Sequence, residues 1–155
     1  MNELVYRNLS EDEKRQICAW KYGGEYDLYN LPSYEEMQVR QIGFMNPQRE
    51  KNYYGFWDES ILVGFVNILE EKEEIFIGIG VNPDLCNKHY GQRMLSITYE
   101  ISKKLYPNKP LYLEVRTWNI RAVKCYQKAG FRIDGQAYEL TTGIGTGTLY
   151  RMIRE

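Results

Sequence analysis

The run RTWNIRAVKCYQKAGF, residues 116–131, sets Asn119, Ala122, Tyr126, Gly130 and Phe131 at spacings that a single helix would organise. Asparagine at the start satisfies an orphan helix N–H, a glycine after the last turn takes the left-handed conformation, and Phe131 then packs on Tyr126. Capping accounts for four of these five residues. It does not require a phenol at 126, where leucine would pack as well, whereas a phenol titrating at about 10 can hydrogen-bond or protonate a leaving group. Upstream, IGIGVNPDLCNKHYGQRML passes from strand through turn to helix, and the helix start offers unpaired N–H groups to an anion such as phosphate. Every strand-to-helix connection shares that property, so spacing alone does not make it a site. A third group is Glu25 and Asp27 beside Tyr22, Tyr26, Tyr29 and Tyr34, which would suit a cationic amine held by charge and aromatic faces. Solvated loop charge is the plainer account of those acids.

The elements that must position these residues are legible in order. Leu4–Arg7 reads as a strand, and Ser10 with Glu13, then Ser33 with Glu36, have capping-box spacing for two helices. Gly23, Gly24 and Pro32 make the intervening tyrosine-rich stretch a loop or broken helix. YYGFW, ILVGFVNIL and IFIGIGV, separated by DES and EEKEE, predict an antiparallel meander. Met94, Leu95, Thr98, Ile101 and Leu105 lie at helical spacing before Pro107, LYLEV predicts a buried strand, and the helix ending at Gly130 follows. Two further strands are expected near residues 132–138 and 147–153. The result is an α+β fold, a mixed, mostly antiparallel sheet of about six to seven strands with about four helices on its faces.

Composition narrows the partners. The 155 residues suit one domain, and 20 basic against 21 acidic side chains give a net charge of −1, too balanced for a field that holds nucleic acid or anionic lipid. Cys18, Cys86 and Cys125 form no CxxC pair and the single histidine leaves too few soft ligands for zinc, so no metal is expected. The amino-terminal stretch lacks a signal-peptide core and no apolar run reaches membrane-spanning length, which implies a soluble, cytoplasmic protein with reduced thiols.

With Asn119, Ala122, Tyr126, Gly130 and Phe131 in place, the chain resembles the GNAT superfamily of acetyl-CoA-dependent N-acetyltransferases, whose motif Asn-x-x-Ala-x-x-x-Tyr-x-x-x-Gly-Phe is complete here. The resemblance runs from about the second strand to the carboxyl terminus, and the amino-terminal helices fit in order. In the family's other motif, a strand leads through proline into Arg/Gln-x-x-Gly-x-Gly/Ala. A gap-free match places Val81 and Pro83 well, puts Cys86 at the Arg/Gln position, puts Asn87 and His89 where glycine is common, and puts Gly91 at the last small residue. An offset match with Lys88 at the Arg/Gln position spoils the fit of Val81 and Pro83. Asparagine is the commonest non-glycine residue at positive φ, and such loops bind pyrophosphate mainly through backbone amides.

The resemblance implies a single GNAT-like acetyltransferase domain over residues 1–155, with acetyl-CoA as co-substrate. Its pantetheine arm would pair with strand four at Ile79 and Val81, its phosphates would meet the turn Asn87, Lys88, His89, Tyr90, Gly91 and Gln92, and Asn119 would reach the arm from the far side. Gly78 and Gly80 either permit close approach or mark a bulge. Tyr126 would be the general acid that protonates the departing thiolate, and a strand-four N–H near Val81 would polarise the acetyl carbonyl. The acceptor would be an amine, a polyamine-like metabolite, an amino sugar or a peptide terminus, contacted by Glu25 and Tyr26. Glu114 alternates away from Leu111, Leu113 and Val115 and either faces the cleft or pairs with Arg116 or a lysine. The general base is not legible. The rival readings are a non-catalytic acyl-CoA sensor and a dimeric interaction module, and a homodimer is a candidate assembly under any of them.

Overall fold

The computed structural model describes residues 3–155. Ser10 opens the first helix: its hydroxyl accepts the Glu13 N–H while the Glu13 carboxylate accepts the Ser10 N–H, so two orphan donors are met at once. Helix α1 (Glu11–Ala19) therefore follows strand β1 (Val5–Asn8) almost directly. At α2 (Tyr34–Arg40) the predicted box is only half built. Ser33 Oγ accepts the Glu36 N–H, but the Glu36 carboxylate accepts from Arg40 one turn on. Between these helices Gly24, at φ +58°, leads into a 3-10 turn, Gly24–Tyr29, which is the form taken by the stretch expected as a loop or broken helix.

The predicted meander is present as β2 (Tyr53–Asp58), β3 (Ile61–Glu70) and β4 (Ile75–Val81). After a 3-10 turn at Pro83–Leu85, α3 (Tyr90–Leu105) buries Met94, Leu95, Thr98 and Ile101 at the predicted spacing. The Thr98 hydroxyl donates back to the Met94 carbonyl, so its burial leaves no unpaired donor. Leu105, read as the end of that stripe, is half exposed because the helix stops there. β5 (Leu111–Arg116) and α4 (Ile120–Lys128) follow.

Beyond α4 the structure has three strands where two were expected: β6 (Arg132–Ile133), β7 (Tyr138–Thr142) and β8 (Gly145–Arg154). Gly135, at φ +76°, interrupts the first predicted strand, and Gly145, at φ +103°, allows β8 to return against β7. The sheet order is β1-β2-β3-β4-β5-β8-β6, with β7 paired to β8. β4 and β5 run parallel, while β1–β2, β2–β3, β5–β8, β6–β8 and β7–β8 are antiparallel. Among the described residues the expected α+β class, with four helices and a mixed, mostly antiparallel sheet, stands: seven strands lie on the main sheet path and β7, paired to β8, is an eighth.

The chain divides into two compact units. The first holds the residues up to Asn67 together with Ile79–Tyr90; the second holds Ile68–Gly78 and Gly91–Glu155. In the first, Ile17, Cys18, Met37, Phe44 and Leu62 form an apolar core against which Trp20, Trp57 and Phe65 pack. The second buries Ile75, Ile77, Met94, Leu95, Leu111, Leu113 and Met152. No helix among the described residues is long and apolar enough to cross a membrane.

Candidate active site

In the first unit the end of β4 is organised by its backbone. The Asn82 N–H donates to the Val63 carbonyl at 2.9 Å, on the β3 side, so strand alternation turns the N–H and C=O groups of Ile79 and Val81 to the opposite edge. On that edge the Val81 carbonyl accepts the Tyr22 hydroxyl at 2.7 Å. The Asn82 side chain then closes the turn, donating to the Leu62 carbonyl at 3.1 Å and accepting the Asp84 N–H at 3.0 Å. Asn87 and His89 both stand at φ +67°, the left-handed conformation that glycine would take without strain. These are the two positions where the family motif commonly has glycine. Asn87, Lys88 and His89 are exposed, and the half-buried Tyr90 opens α3 with its hydroxyl on the Asp58 carboxylate at 2.5 Å.

The tyrosine-rich segment has a defined neck. The Tyr22 N–H donates to Asn30 Oδ1 at 2.6 Å, and the Asn30 N–H donates to the Asp27 carbonyl at 3.0 Å, so the 3-10 turn carrying Glu25 and Tyr26 is tied at its base. Glu25 and Asp27 are exposed, and Tyr26 is half-buried. Tyr34 does not belong with them. It is buried at the start of α2, its hydroxyl donates to the Glu11 carboxylate at 2.7 Å, and the Arg15 guanidinium covers its ring at 4.1 Å.

In the second unit α4 is capped as the sequence predicts. Asn119 Oδ1 accepts the Ala122 N–H at 3.2 Å. At the other end the Phe131 N–H reaches the Tyr126 carbonyl at 2.9 Å and the Gly130 N–H reaches Gln127 at 3.0 Å, a Schellman closure with Gly130 at φ +95°. Tyr126 is half-buried on this helix rather than enclosed in the core, and Asn119 is buried. Gly91 is buried and Gln92 half-buried in the first turn of α3. Burial pushes the neighbouring Cys125 thiol up, which keeps it protonated.

Glu114 lies on the half-buried face of β5, opposite Arg151 of β8 in register. Its partner is neither Arg116 nor a lysine: it accepts the Tyr138 hydroxyl at 2.5 Å. Arg116 instead donates to the carbonyls of Gly145 and Thr146 at 3.1 and 3.2 Å. On the Glu114 face, Tyr112 donates to Glu71 at 2.8 Å, and Arg151 lies 4.4 Å over the Tyr112 ring while bridging Glu74 and Asp134. Burial, and then the carboxylate each phenol faces, push Tyr112 and Tyr138 well above the usual phenol range. Sequence reading missed Tyr138 and Asn30 as members of these groups, and it named Tyr22 as an aromatic face rather than as a donor to the end of β4. Tyr22 and Tyr138 find partners 59 and 24 residues away, a separation that carries no local pattern.

A family model described as Acetyltransferase (GNAT) family matches residues 7–131. The chain belongs to that family. The matched span contains the left-handed turn before α3 and closes on Phe131, the last residue of the α4 motif. Solved structures share the GNAT fold. The acetyltransferase (GNAT family) from Bacillus anthracis superposes with a TM-score of 0.78 at 17% identity, over 98% of this chain and 94% of that one. Spermidine N-acetyltransferase from Vibrio cholerae, in complex with CoA and spermine, gives 0.75 at 18% identity over 97% and 94%. AAC(6')-Ib, in complex with ribostamycin and coenzyme A, gives 0.74 at 16% identity over 99% and 93%. No curated protein matches the chain.

Proposed function

We propose that this GNAT protein transfers the acetyl group of acetyl-CoA to a primary amine of a small molecule or peptide by direct attack. The observation that carries the reading is the left-handed backbone at Asn87 and His89, which keeps the glycine-like path of a phosphate-binding turn although neither residue is glycine. In this reading the turn from Asn87 to Gln92 receives the CoA phosphates through its amides, Ile79 and Val81 pair with the pantetheine arm, and Asn119 completes the arm's surroundings. The solved relatives crystallised with CoA beside spermine or ribostamycin support a CoA co-substrate and an amine acceptor.

The chemistry follows from the groups available. The neutral amine attacks the acetyl carbonyl, the C–N bond forms, and the Val81 N–H steadies the negative oxygen. The C–S bond then breaks, the Tyr126 phenol gives its proton to the thiolate, and solvent restores the phenol. The proton lost by nitrogen passes to water or a carboxylate; Glu25 and Glu114 are the candidates, with Tyr26 contributing an aromatic face to the acceptor. Glu114 is committed to Tyr138, which makes Glu25 the freer acid for binding a cation.

Calorimetry with acetyl-CoA followed by thiol release across an amine panel tests the reading. Binding with amine-dependent release is the expected result. Binding without release under any amine would make the chain an acyl-CoA sensor, and no binding at millimolar ligand would overturn both.

A further inference from the structure

Tyr22 is held at two points. Its backbone N–H donates to Asn30 Oδ1 at 2.6 Å, and its hydroxyl donates to the Val81 carbonyl at 2.7 Å. The first bond closes the neck of the turn Gly24–Tyr29; the second fixes that neck to the last peptide of β4. Both bonds lie within one compact unit. We propose that Tyr22 is a positioning residue that clamps the acceptor loop onto the end of β4. This rests on the N-acetyltransferase reading and adds a role to it.

The argument is one of donors and acceptors. Val81 turns both its N–H and its C=O to the edge away from β3, where an added strand would find one donor and one acceptor. With one lone pair of the carbonyl engaged by Tyr22, the Val81 N–H is the donor on this edge that an incoming acceptor would meet. The carbonyl of a thioester has that acceptor character. The Tyr22 hydroxyl bond places the loop carrying Glu25 and Tyr26 at a fixed distance from the peptide that polarises the acyl group, so acceptor recognition and carbonyl activation share one clamp. Asn30 is the second half of the device, because without its side chain the Tyr22 backbone is no longer tied to the far end of the turn.

The full chain carrying Tyr22→Phe, Asn30→Ala or Asn30→Asp decides the matter through three measurements: acetyl-CoA affinity by calorimetry, steady-state thiol release with the best amine of the panel, and hydrogen exchange of residues 22–31. Tyr22→Phe is expected to keep acetyl-CoA affinity within about twofold, to lose roughly tenfold in kcat/KM for the amine, mostly through KM, and to exchange faster across the loop. Asn30→Ala should follow it, and Asn30→Asp, which retains an acceptor for the Tyr22 N–H, should behave as the parent chain. An active parent with a Tyr22→Phe variant unchanged in KM, kcat and loop exchange would overturn the clamp while leaving the acetyltransferase reading intact. Loss of acetyl-CoA affinity in both Tyr22→Phe and Asn30→Ala would also overturn it, by making the pair scaffold. A parent chain that neither binds acetyl-CoA nor releases thiol would remove the underlying reading, and the clamp's function with it.

Discussion

Tyr126 and His89 are the residues whose chemistry and conformation diverge most from what packing alone asks. Leucine or phenylalanine would serve α4 mechanically at 126, so Tyr126→Phe isolates the hydroxyl: kcat should fall roughly a hundredfold while calorimetry finds acetyl-CoA affinity preserved. His89 is exposed and held at φ +67°, a left-handed conformation that glycine takes without strain, that asparagine, aspartate and histidine tolerate better than most residues, and that β-branched side chains avoid. The relief of that strain and the extra chain entropy of glycine nearly cancel, so His89→Gly should change unfolding stability by less than about 1 kcal/mol. His89→Ile should lower it by about 1–2 kcal/mol, because a β-branched side chain fits this region worst. Denaturant titration of the two variants measures both changes. If the turn works through its amides, His89→Gly also leaves acetyl-CoA affinity intact. The asparagine at 87 announces a left-handed turn in the sequence; the histidine does not, and its conformation is set by the path from Pro83 into α3.

Elements were legible wherever a local rule acts alone. The caps of α1 and α4, the stop after Gly130, and the stripe of Met94, Leu95, Thr98 and Ile101 each involve residues within one or two turns of helix. The strands after α4 were less legible because their breaks fall at Gly135 and Gly145, and one contact to the turn between the last two comes from a distant arginine. Arg116, at the end of β5, is buried and donates to the carbonyls of Gly145 and Thr146, passing over Gly147 on the way. A Cβ at 147 would stand 1.6 Å from Arg116 Nη1, so Gly147→Ala must displace a buried guanidinium from two carbonyl partners. The expected cost is about 2–4 kcal/mol, read as a drop in the denaturation midpoint, and it belongs to the β7–β8 hairpin rather than to any strand propensity. Nothing in the string TTGIGTG reveals which of its glycines clears a path for a side chain from residue 116.

For the whole molecule, the most exposed consequence of folding is electrostatic. Lys14 is almost fully buried, with its ammonium 2.8 Å from Glu11 and 3.5 Å from Glu50, while Glu11 also accepts the Tyr34 hydroxyl. The hydrogen bond from Lys14, and then that from Tyr34, hold the Glu11 carboxyl below its ordinary value of 4.5. A carboxylate depressed by folding contributes stability that is complete above that ordinary value and is lost as pH falls through the folded one. Melting temperature should therefore decline below about pH 4.5, and Glu11→Gln should lower it near neutrality and flatten the acid limb. This network joins α1, α2 and the turn at Glu50–Asn52, so composition could show its charges but not their pairing. The division of the chain into two units also has an optical side. Trp20 and Trp57 belong to the first unit and Trp118 to the second. A Trp118→Phe chain would therefore fluoresce from one unit alone, and comparing its emission during denaturation with far-ultraviolet ellipticity would separate a concerted collapse of the fold from a stepwise one.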